Sequence, residues 1–384
     1  MSLRLVLLTE IIAPYRIPVF NALARHEGID LQVIFLAEND PALRQWLVYR
    51  DEIQFTYQVL PSWRQRLGKH NLLVNRGLGA ALRQAAPDAI LCGGYNYPAS
   101  WESMLWARRN GVRFYLWVES NAHDQRSGRL LVESLKRKFV RNCDGFVVPG
   151  RSSLEYVKSF GVEEGAIFTA PNAVDTRRFA EEAGRVRDDC AMQREALGLP
   201  GRFFLFVGRL VAEKGVFDLL QAYVTLTAKL KEEIGLVFVG DGKERAALQR
   251  LAAGVEPGCI QFAGFAQREQ LAAYYALADL LVFPTHTDTW GLVVNEAMAC
   301  GLPIIATSVA GCTADLVRDG WNGRVIDAGN LEQLGSAMAE IASDSELRLR
   351  MGQRSRERIL GYSPEACAAG IAEAVLSCEV PCRG

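Results

Sequence analysis

Short apolar runs alternate with amphipathic segments along the first 150 residues. Five runs have the length of buried strands: 3–8, 31–36, 89–92, 112–118 and 145–148. Helical periodicity lies between them, over 18–24, 101–110 and 127–141. Apolar strands separated by helices of this length predict a parallel sheet that is covered on both faces.

The alternation stops at residues 180–200 and then restarts. Residues 181–189 are rich in charge and lack an apolar strand, so we expect a linker there, although 188–198 fit a surface helix. Further strands are predicted at 203–207, 236–239, 260–262, 280–283 and 304–307, and helices at 216–229, 244–253, 267–278, 294–300 and 331–342. The pattern therefore predicts two α/β domains in series, over 1–180 and 200–362, each large enough for its own core.

Composition is typical of an ordinary globular protein and indicates the cellular compartment in which it works. Of 384 residues, 49% are hydrophobic and 23% are charged, which excludes a disordered chain, a collagen and a coiled coil. The nine cysteines are scattered without a CxxC pair, which favours reduced thiols over disulfides or a zinc ribbon. Neither a signal peptide nor a long apolar run is evident, so we expect a cytoplasmic protein.

The net charge of −1 hides a difference between the two halves. Residues 1–180 hold 23 Lys and Arg against 17 Asp and Glu, a net +6, which leaves −7 for residues 181–384. The basic excess is concentrated in residues 61–84 and 126–141. These segments are either two solvated helix faces or a surface for an anionic partner, such as a phosphorylated acceptor or the inner face of a membrane. Nucleic acid is disfavoured, because the domain is only mildly basic and shows no nucleic-acid module.

Two cations follow the first predicted strand of the second domain. That strand runs into Gly208, and Arg209 and Lys214 come before the next helix. A glycine at a strand end lets a ligand approach the backbone. The planar donor fork of arginine and the point charge of lysine together suit a diphosphate, unless either cation pairs with Glu213 instead.

A second segment places two carboxylates around the predicted start of a helix. Asp288 lies in the loop after the strand at 280–283, the helix begins near Gly291, and Glu296 lies in its first turns. The free N–H groups at such a helix end attract a phosphate. A carboxylate can accept hydrogen bonds from both hydroxyls of a vicinal diol, although Glu296 also suits the helix dipole alone. Groups suited to a diphosphate, together with carboxylates suited to a diol, indicate that the ligand is a nucleotide sugar.

Residues 201–327 resemble the retaining glycosyltransferases of family 4, which have the GT-B fold. The matching segments are GRLVAEKG (208–215), FVGDGKER (238–245), FAGF (262–265), YYALADLLVFPT (274–285), DTWGLVVNEAMACGLPIIAT (288–307) and DGWNGRVI (319–326), with PNAVDTRRF (171–179) in the first half. The resemblance implies two Rossmann-like domains that face each other across a cleft. It also implies that a helix at 363–377 crosses back to the first domain.

The resemblance assigns catalytic roles to residues of the second domain. Arg209 and Lys214 match the pair that binds the donor diphosphate, and Glu296 matches the second glutamate of the E-x7-E motif, which contacts the ribose hydroxyls. Asp288 falls on the first glutamate of that motif, beside the donor sugar. Here the chain departs from the family, because aspartate is one methylene shorter and Trp290 stands where phenylalanine is usual.

The resemblance also implies donor contacts made by the backbone, and it extends to the first domain. Gly208, Gly291 and Leu292 are the expected backbone contacts of the donor, and Gly264 and Phe265 lie where the family holds the base. In the first domain His123 is expected near the reacting sugar. Tyr15, Arg16 and Glu119 are candidates for the acceptor site, although packing accounts for them equally well.

These assignments predict a hexosyltransferase that retains anomeric configuration and needs neither a cofactor nor a metal. Its donor is a UDP- or GDP-sugar, and its acceptor is a hydroxyl of a glycan, a lipid-linked molecule or a small molecule, most often in bacterial surface polysaccharide synthesis. DxD is absent, since residues 38–40 read only Glu-Asn-Asp. The alternatives are a nucleotide-sugar epimerase of GT-B shape and a non-catalytic nucleotide-sugar-binding protein. A nicotinamide dehydrogenase is disfavoured, because Arg245 replaces the third glycine of GxGxxG.

Overall fold

The computed structural model describes residues 2–40, 46–67, 70–121, 130–255 and 258–377. The chain divides into two units by contact. The first unit consists of Met1–Val174 with Pro364–Gly384, and the second unit of Asp175–Ser363. Each unit has its own parallel sheet, so the predicted pair of Rossmann-like α/β domains is confirmed.

The first unit is built on a seven-stranded parallel sheet. Its strands are β1 (Leu3–Thr9), β2 (Ile29–Phe35), β3 (Thr56–Val59), β6 (Ala89–Cys92), β7 (Arg113–Trp117), β8 (Gly145–Val148) and β9 (Ile167–Thr169). A separate antiparallel hairpin, β4 (Ser62–Leu67) with β5 (His70–Asn75), stands outside the sheet. The helices are α1 (Ile17–Ala24), α2 (Leu78–Ala85), α3 (Pro98–Asn110), α4 (Leu130–Val140), α5 (Arg151–Lys158) and α16 (Pro364–Leu376).

The second unit has a six-stranded parallel sheet. Its strands are β10 (Phe203–Val207), β11 (Gly235–Val239), β12 (Ile260–Gly264), β13 (Leu280–Phe283), β14 (Ile304–Thr307) and β15 (Gly323–Ile326). Its helices are α6 (Thr176–Asp188), α7 (Cys190–Leu197), α8 (Val216–Thr225), α9 (Ala228–Glu233), α10 (Arg245–Ala252), α11 (Arg268–Leu277), α12 (Leu292–Ala299), α13 (Thr313–Leu316), α14 (Leu331–Ser343) and α15 (Ser345–Ile359).

Strand order places a crevice at the carboxyl edge of each sheet. The orders are β3-β2-β1-β6-β7-β8-β9 and β12-β11-β10-β13-β14-β15. In both sheets the connections reverse direction beside the first strand, between β1 and β6 and between β10 and β13. Ligands of open α/β sheets bind where the order reverses in this way, because the loops on either side diverge and leave room.

The predicted linker at 181–189 is wrong, because α6 continues to Asp188. The alternative of a surface helix at 188–198 is confirmed, since α7 (Cys190–Leu197) has no buried residue. The Asp175 side chain caps α6 by accepting a hydrogen bond of 3.0 Å from the Arg178 amide. Phe179 and Ala183 are buried, and the Phe179 ring packs edge-on against Tyr275. The second unit therefore begins at Asp175, and the charge of this segment marks the solvent face of α6.

The last helix, α16, packs with the first unit although it follows the second in sequence. It contacts α1 and β9, and its residues Ile371, Ala372 and Val375 are buried in the core of the first sheet. Gly370 allows this close approach, since a Cβ there would lie 2.2 Å from the Thr169 carbonyl oxygen. The helix therefore forms part of that core.

Shortening Ile371 to alanine is expected to destabilise the first unit by about 2–5 kcal/mol, because the variant leaves a cavity at a fully buried position. Hydrogen exchange of amides in α1 and β1 should become faster, while the second unit keeps its protection. Leu376→Ala, at the half-exposed end of the same helix, is the control. Unchanged exchange in α1 and β1 would show that α16 contributes little to this core.

Candidate functional site

The crevice between β10 and β13 brings together two loops that are separated in the sequence by about seventy residues. Residues 208–215 follow β10, and residues 284–291 follow β13. The Thr285 hydroxyl lies 3.1 Å from the Glu213 carbonyl oxygen, and the His286 amide donates to the same carbonyl at 2.9 Å. Backbone groups therefore hold the two loops side by side at the carboxyl edge of the second sheet.

Glycines allow these backbones to approach. Gly215 has a φ of +66°, and a Cβ there would lie 1.9 Å from the Pro284 carbonyl oxygen. Gly208 has a φ of +152°, and its own carbonyl oxygen lies 2.0 Å from where a Cβ on Gly240 would be. A larger residue at position 215 or 240 would push the loops apart. The predicted role of Gly208 in exposing backbone to the donor stays a prediction.

Lys214 and Asp288 form an ion pair within this crevice. Both side chains are largely buried, and the ammonium also lies 6.0 Å from the centre of the Phe283 ring. Arg209, by contrast, is exposed. The sequence predicts Lys214 as a diphosphate ligand or as a partner of Glu213, so the pairing with Asp288 was missed. Only the tertiary structure brings these two positions together.

The local field at the end of β10 is positive. The pKa of the exposed Glu213 carboxyl is lowered, first by a hydrogen bond from its own backbone N–H and further by Lys243, Arg209 and Lys214. Cations that act on one carboxylate in this way would act equally on a bound diphosphate.

Asp288 is fixed by its own loop. Its Oδ1 accepts a hydrogen bond of 3.3 Å from the Trp290 amide, and its carbonyl accepts one of 3.1 Å from Gly311. The Trp290 indole is buried and donates to Asn295 Oδ1 at 2.9 Å. Trp290 thus anchors the loop to α12, which explains how an indole fits where the family has phenylalanine.

Helix α12 begins at the edge of the crevice without a side-chain cap. Gly291 precedes it with a φ of +106°, and a Cβ there would lie 2.6 Å from the Phe283 ring. The helix starts at Leu292, close to the predicted start. Its uncapped amino end carries the partial positive charge that suits a phosphate oxygen.

Glu296 lies on α12 and is held by one hydrogen bond. The Tyr275 hydroxyl donates to Glu296 Oε2 at 2.7 Å. Burial raises the pKa of Glu296 to about 7, although Tyr275 and the more distant Arg268 oppose this shift. The carboxylate is therefore poorly solvated in the free protein and available for hydroxyl donors of a ligand. Sequence patterns gave no reason to pair Tyr275 with it.

Gly264 and Phe265 lie at the carboxyl end of β12, two strands away from β10. Gly264 is buried with a φ of +82°, and its carbonyl accepts a hydrogen bond of 2.7 Å from Gly240. The Phe265 side chain is 43% exposed. An exposed aromatic ring beside a buried turn suits a planar base, so the predicted assignment stays open to test.

A further pair beside the crevice was not predicted. His286 Nε2 lies 2.8 Å from Asp218 Oδ2, which ties the loop after β13 to the first turn of α8. No motif marked His286, because a lone histidine in a loop carries no spacing signal.

The acceptor candidates of the first unit lie at the carboxyl edge of its sheet, where two of them pair with each other. Arg16 Nη2 lies 2.7 Å from Glu119 Oε2, and its guanidinium stacks 4.1 Å from the centre of the Trp117 ring. Tyr15 packs edge-on against Trp46. These contacts fix Arg16 and Tyr15 in place, and the predicted acceptor role of these residues and of Glu119 stays a prediction. His123 lies outside the described residues.

Two family models match the chain. The model "Glycosyltransferase Family 4" matches residues 19–178, and the model "Glycosyl transferases group 1" matches residues 191–358. Each match therefore falls almost entirely within one of the two units.

Curated relatives match over part of their length. D-inositol 3-phosphate glycosyltransferase of Corynebacterium jeikeium is 28% identical over 247 residues, which cover 62% of this chain and 58% of that protein. The lipopolysaccharide core biosynthesis glycosyltransferase LpsE of Rhizobium meliloti is 33% identical over 163 residues, covering 42% and 45%. The matched region thus spans about half the length of these relatives.

Solved structures match over nearly the whole chain. HepE of Anabaena, crystallised with UDP and glucose, superposes with a TM-score of 0.70 at 17% identity, covering 98% of this chain and 100% of that one. Sucrose-phosphate synthase of Thermosynechococcus elongatus superposes with a TM-score of 0.72 at 19% identity, covering 96% and 97%. These matches show the GT-B fold.

Proposed function

Because the chain belongs to glycosyltransferase family 4, whose models match both of its units, we propose that it transfers a hexose from a nucleoside-diphosphate sugar to a hydroxyl group. The observation that carries the proposal is the crevice between β10 and β13. It combines Arg209, Lys214, the amino end of α12 and the carboxylates Asp288 and Glu296.

The positive groups suit the leaving group. As the sugar departs, negative charge develops on the nucleoside diphosphate. The uncapped start of α12 is fixed in place before the reaction, so it stabilises that charge without reorganising, and Arg209 and Lys214 add positive charge beside it. Lys214 must leave Asp288 to reach the diphosphate. The diphosphate of the donor draws Lys214 away from Asp288, because it carries more negative charge than one carboxylate.

The carboxylates suit the two sugars of the donor. Glu296, with a single hydrogen bond from Tyr275, has acceptor capacity left for both ribose hydroxyls. Once Lys214 moves, Asp288 can accept a hydrogen bond from a hydroxyl of the transferred hexose. Transfer with retention then needs no covalent nucleophile, since the acceptor attacks the face that the diphosphate leaves, and a diphosphate oxygen takes the proton.

The comparisons guide the choice of substrates to test. HepE was crystallised with UDP and glucose, which puts UDP-glucose first among donors. Relatives named for a lipopolysaccharide core and for inositol phosphate favour a bacterial surface glycan or a small polyol as acceptor.

Donor use tests the proposal directly. The full chain, incubated with radiolabelled UDP- and GDP-sugars, is expected to release the nucleoside diphosphate, slowly with water and faster with an acceptor. Arg209→Ala should lower this release by about 100-fold, the usual loss for one group that stabilises a developing anion. Arg350→Ala, an exposed arginine of α15, is the matched control. If no donor is bound or consumed by the wild type, the proposal fails. An epimerised donor would place the chain with the epimerases.

We also propose that transfer is independent of metal. The chain lacks DxD, and Arg209 and Lys214 lie in the loop that follows β10, where their charges suit a diphosphate without a metal ion. Activity in EDTA is expected to equal activity in Mg²⁺. Loss of activity in EDTA that Mg²⁺ restores would assign the charge stabilisation to a bound ion.

A further inference from the structure

The β4–β5 hairpin is a projection of the first unit that the proposed reaction leaves unexplained. It is fixed on its inner side, where Arg64 pairs with the buried Asp40 and lies 3.3 Å from Glu10 Oε1. The Asn75 amide donates to the Leu36 carbonyl at 2.6 Å, and Leu73 is fully buried. These contacts hold the hairpin in one orientation on the ends of β1 and β2.

Its outer face is apolar. Side chains alternate between the faces of a strand, so residues on either side of Arg64 and Leu73 point outward. Trp63 lies directly opposite Val74, and Leu72 opposite Gln65. Trp63 is 57% exposed, Val74 39% and Leu72 36%. Three large apolar side chains on one side of a two-stranded ribbon therefore face solvent.

The segment that carries the hairpin is basic. Residues 61–84 contain five Lys and Arg and no Asp or Glu. Arg76 and Arg83, just after the hairpin, are exposed. The segment is thus both apolar and cationic, which corrects its interpretation as a solvated helix face.

The second basic segment differs. On the described part of α4, Phe139 and Val140 are buried in the core, and Leu135 is exposed. Its cations Arg137 and Lys138 stand on an otherwise ordinary solvent face. Among the described side chains of the two segments, three large apolar ones are exposed on the hairpin and one, Leu135, is exposed on α4.

We propose that the outer face of the β4–β5 hairpin docks on an anionic lipid bilayer. An indole flanked by aliphatic side chains suits the boundary between headgroups and acyl chains. The exposed Arg76 and Arg83 suit phosphate headgroups, and their attraction is screened by salt. Neutral lipid carries no net charge to attract these cations, and an apolar protein partner would not interact favourably with them. This inference is independent of the transfer reaction and holds even if the chain moves no sugar.

Vesicle co-sedimentation with the full chain tests it. The probe is a vesicle of equal parts phosphatidylglycerol and phosphatidylcholine, with pure phosphatidylcholine for comparison. The protein is expected to sediment with the anionic vesicles at low salt and less so at physiological salt, and to stay in solution with the neutral ones. Absence from the anionic pellet at low salt would overturn the proposal.

Variants assign the contact to the hairpin. Trp63→Ala should weaken vesicle binding at least about tenfold, since it removes the largest interfacial side chain. Leu349→Ala removes a more exposed apolar side chain, on α15 of the second unit, and should change nothing. The charge-reversed Arg76→Glu should weaken binding to anionic vesicles. Equal effects of the Trp63 and Leu349 variants would place the contact elsewhere.

A second readout excludes self-association. Quenching of tryptophan fluorescence by brominated lipid should fall in Trp63→Phe, which keeps an aromatic ring at that position. Sedimentation velocity without lipid should show the same mass for wild type and Trp63→Ala at every concentration. A dimer that Trp63→Ala dissociates would mean that the hairpin binds a second copy of this chain, and the lipid proposal would be wrong.

Discussion

Replacing Asp288 with asparagine is expected to tighten the binding of UDP while slowing sugar transfer. In the free protein Lys214 pairs with Asp288, so a diphosphate competes with this carboxylate for the lysine. Asparagine keeps the shape and the hydrogen bond from Trp290 but releases the lysine. We expect UDP to bind about 3–10-fold more tightly, the scale of one partly screened ion pair. Isothermal titration with UDP measures this.

Transfer by the same variant should fall by about 100-fold, because the amide oxygen is a weaker acceptor for a sugar hydroxyl than a carboxylate. Release of UDP from the UDP-sugar measures this rate. Asp319→Asn is the matched control, since it also removes a carboxylate paired with a cation, Arg324 at 3.3 Å, away from the crevice. If UDP binding weakens in the Asp288 variant, the ion pair does not compete with the donor, and Asp288 serves only to place Lys214.

Replacing Glu296 with glutamine is expected to stabilise the protein at high pH and to weaken donor binding. Burial raises the pKa of this carboxyl to about 7, above the ordinary value of 4.5. Between these two values the folded chain holds a proton that the unfolded chain has lost. The stability contributed by Glu296 therefore falls as pH rises from 4.5 to about 7, and it stays low above that.

Glutamine removes this penalty and still accepts the Tyr275 hydrogen bond through its carbonyl oxygen. At about pH 8 the free energy of unfolding of the variant should exceed that of the wild type by roughly 2 kcal/mol, so the variant should unfold at a higher temperature. Near pH 5 the difference in stability between the two proteins should be smaller. Differential scanning calorimetry at the two pH values measures this. Glu332→Gln, exposed on α14, should shift neither value. A variant that is less stable at high pH would show that Glu296 is well solvated when ionised.

The affinity of the wild type for the donor should rise with pH, whereas the stability contributed by Glu296 falls. The ribose hydroxyls need the ionised carboxylate, so wild-type affinity is expected to rise with pH up to about 7 and then level off. In the Glu296 variant we expect about 10–100-fold weaker binding that no longer depends on pH in this range. Titration of UDP at several pH values measures both. A wild-type affinity that stays constant across this range would separate Glu296 from the donor.

Most strands of the two sheets could be predicted from the sequence, since buried parallel strands are short continuous apolar runs, but β3, β9 and β15 were not predicted. β10 and β13 match their predicted ranges, and α12 begins within two residues of its predicted start. The hairpin at 62–75 was missed, because Arg64 and Leu73 are ordered by contacts with distant residues. The helix at 176–188 was missed because its polar face hides a few core positions such as Phe179.

The sequence by itself determined which chemical groups follow each strand of the second sheet. These groups form local patterns that can be recognised in the sequence alone. A glycine, an arginine and a lysine follow one strand, and a carboxylate and the start of a helix follow another. What only the tertiary structure decided is how these groups meet. Lys214 pairs with Asp288, and Tyr275 holds Glu296, across separations of 74 and 21 residues. The physical reason is that ion pairing and burial depend on how helices and strands pack together. The periodicity of apolar residues in the sequence does not reveal this packing. The competition for Lys214 and the raised pKa of Glu296 therefore could not be predicted.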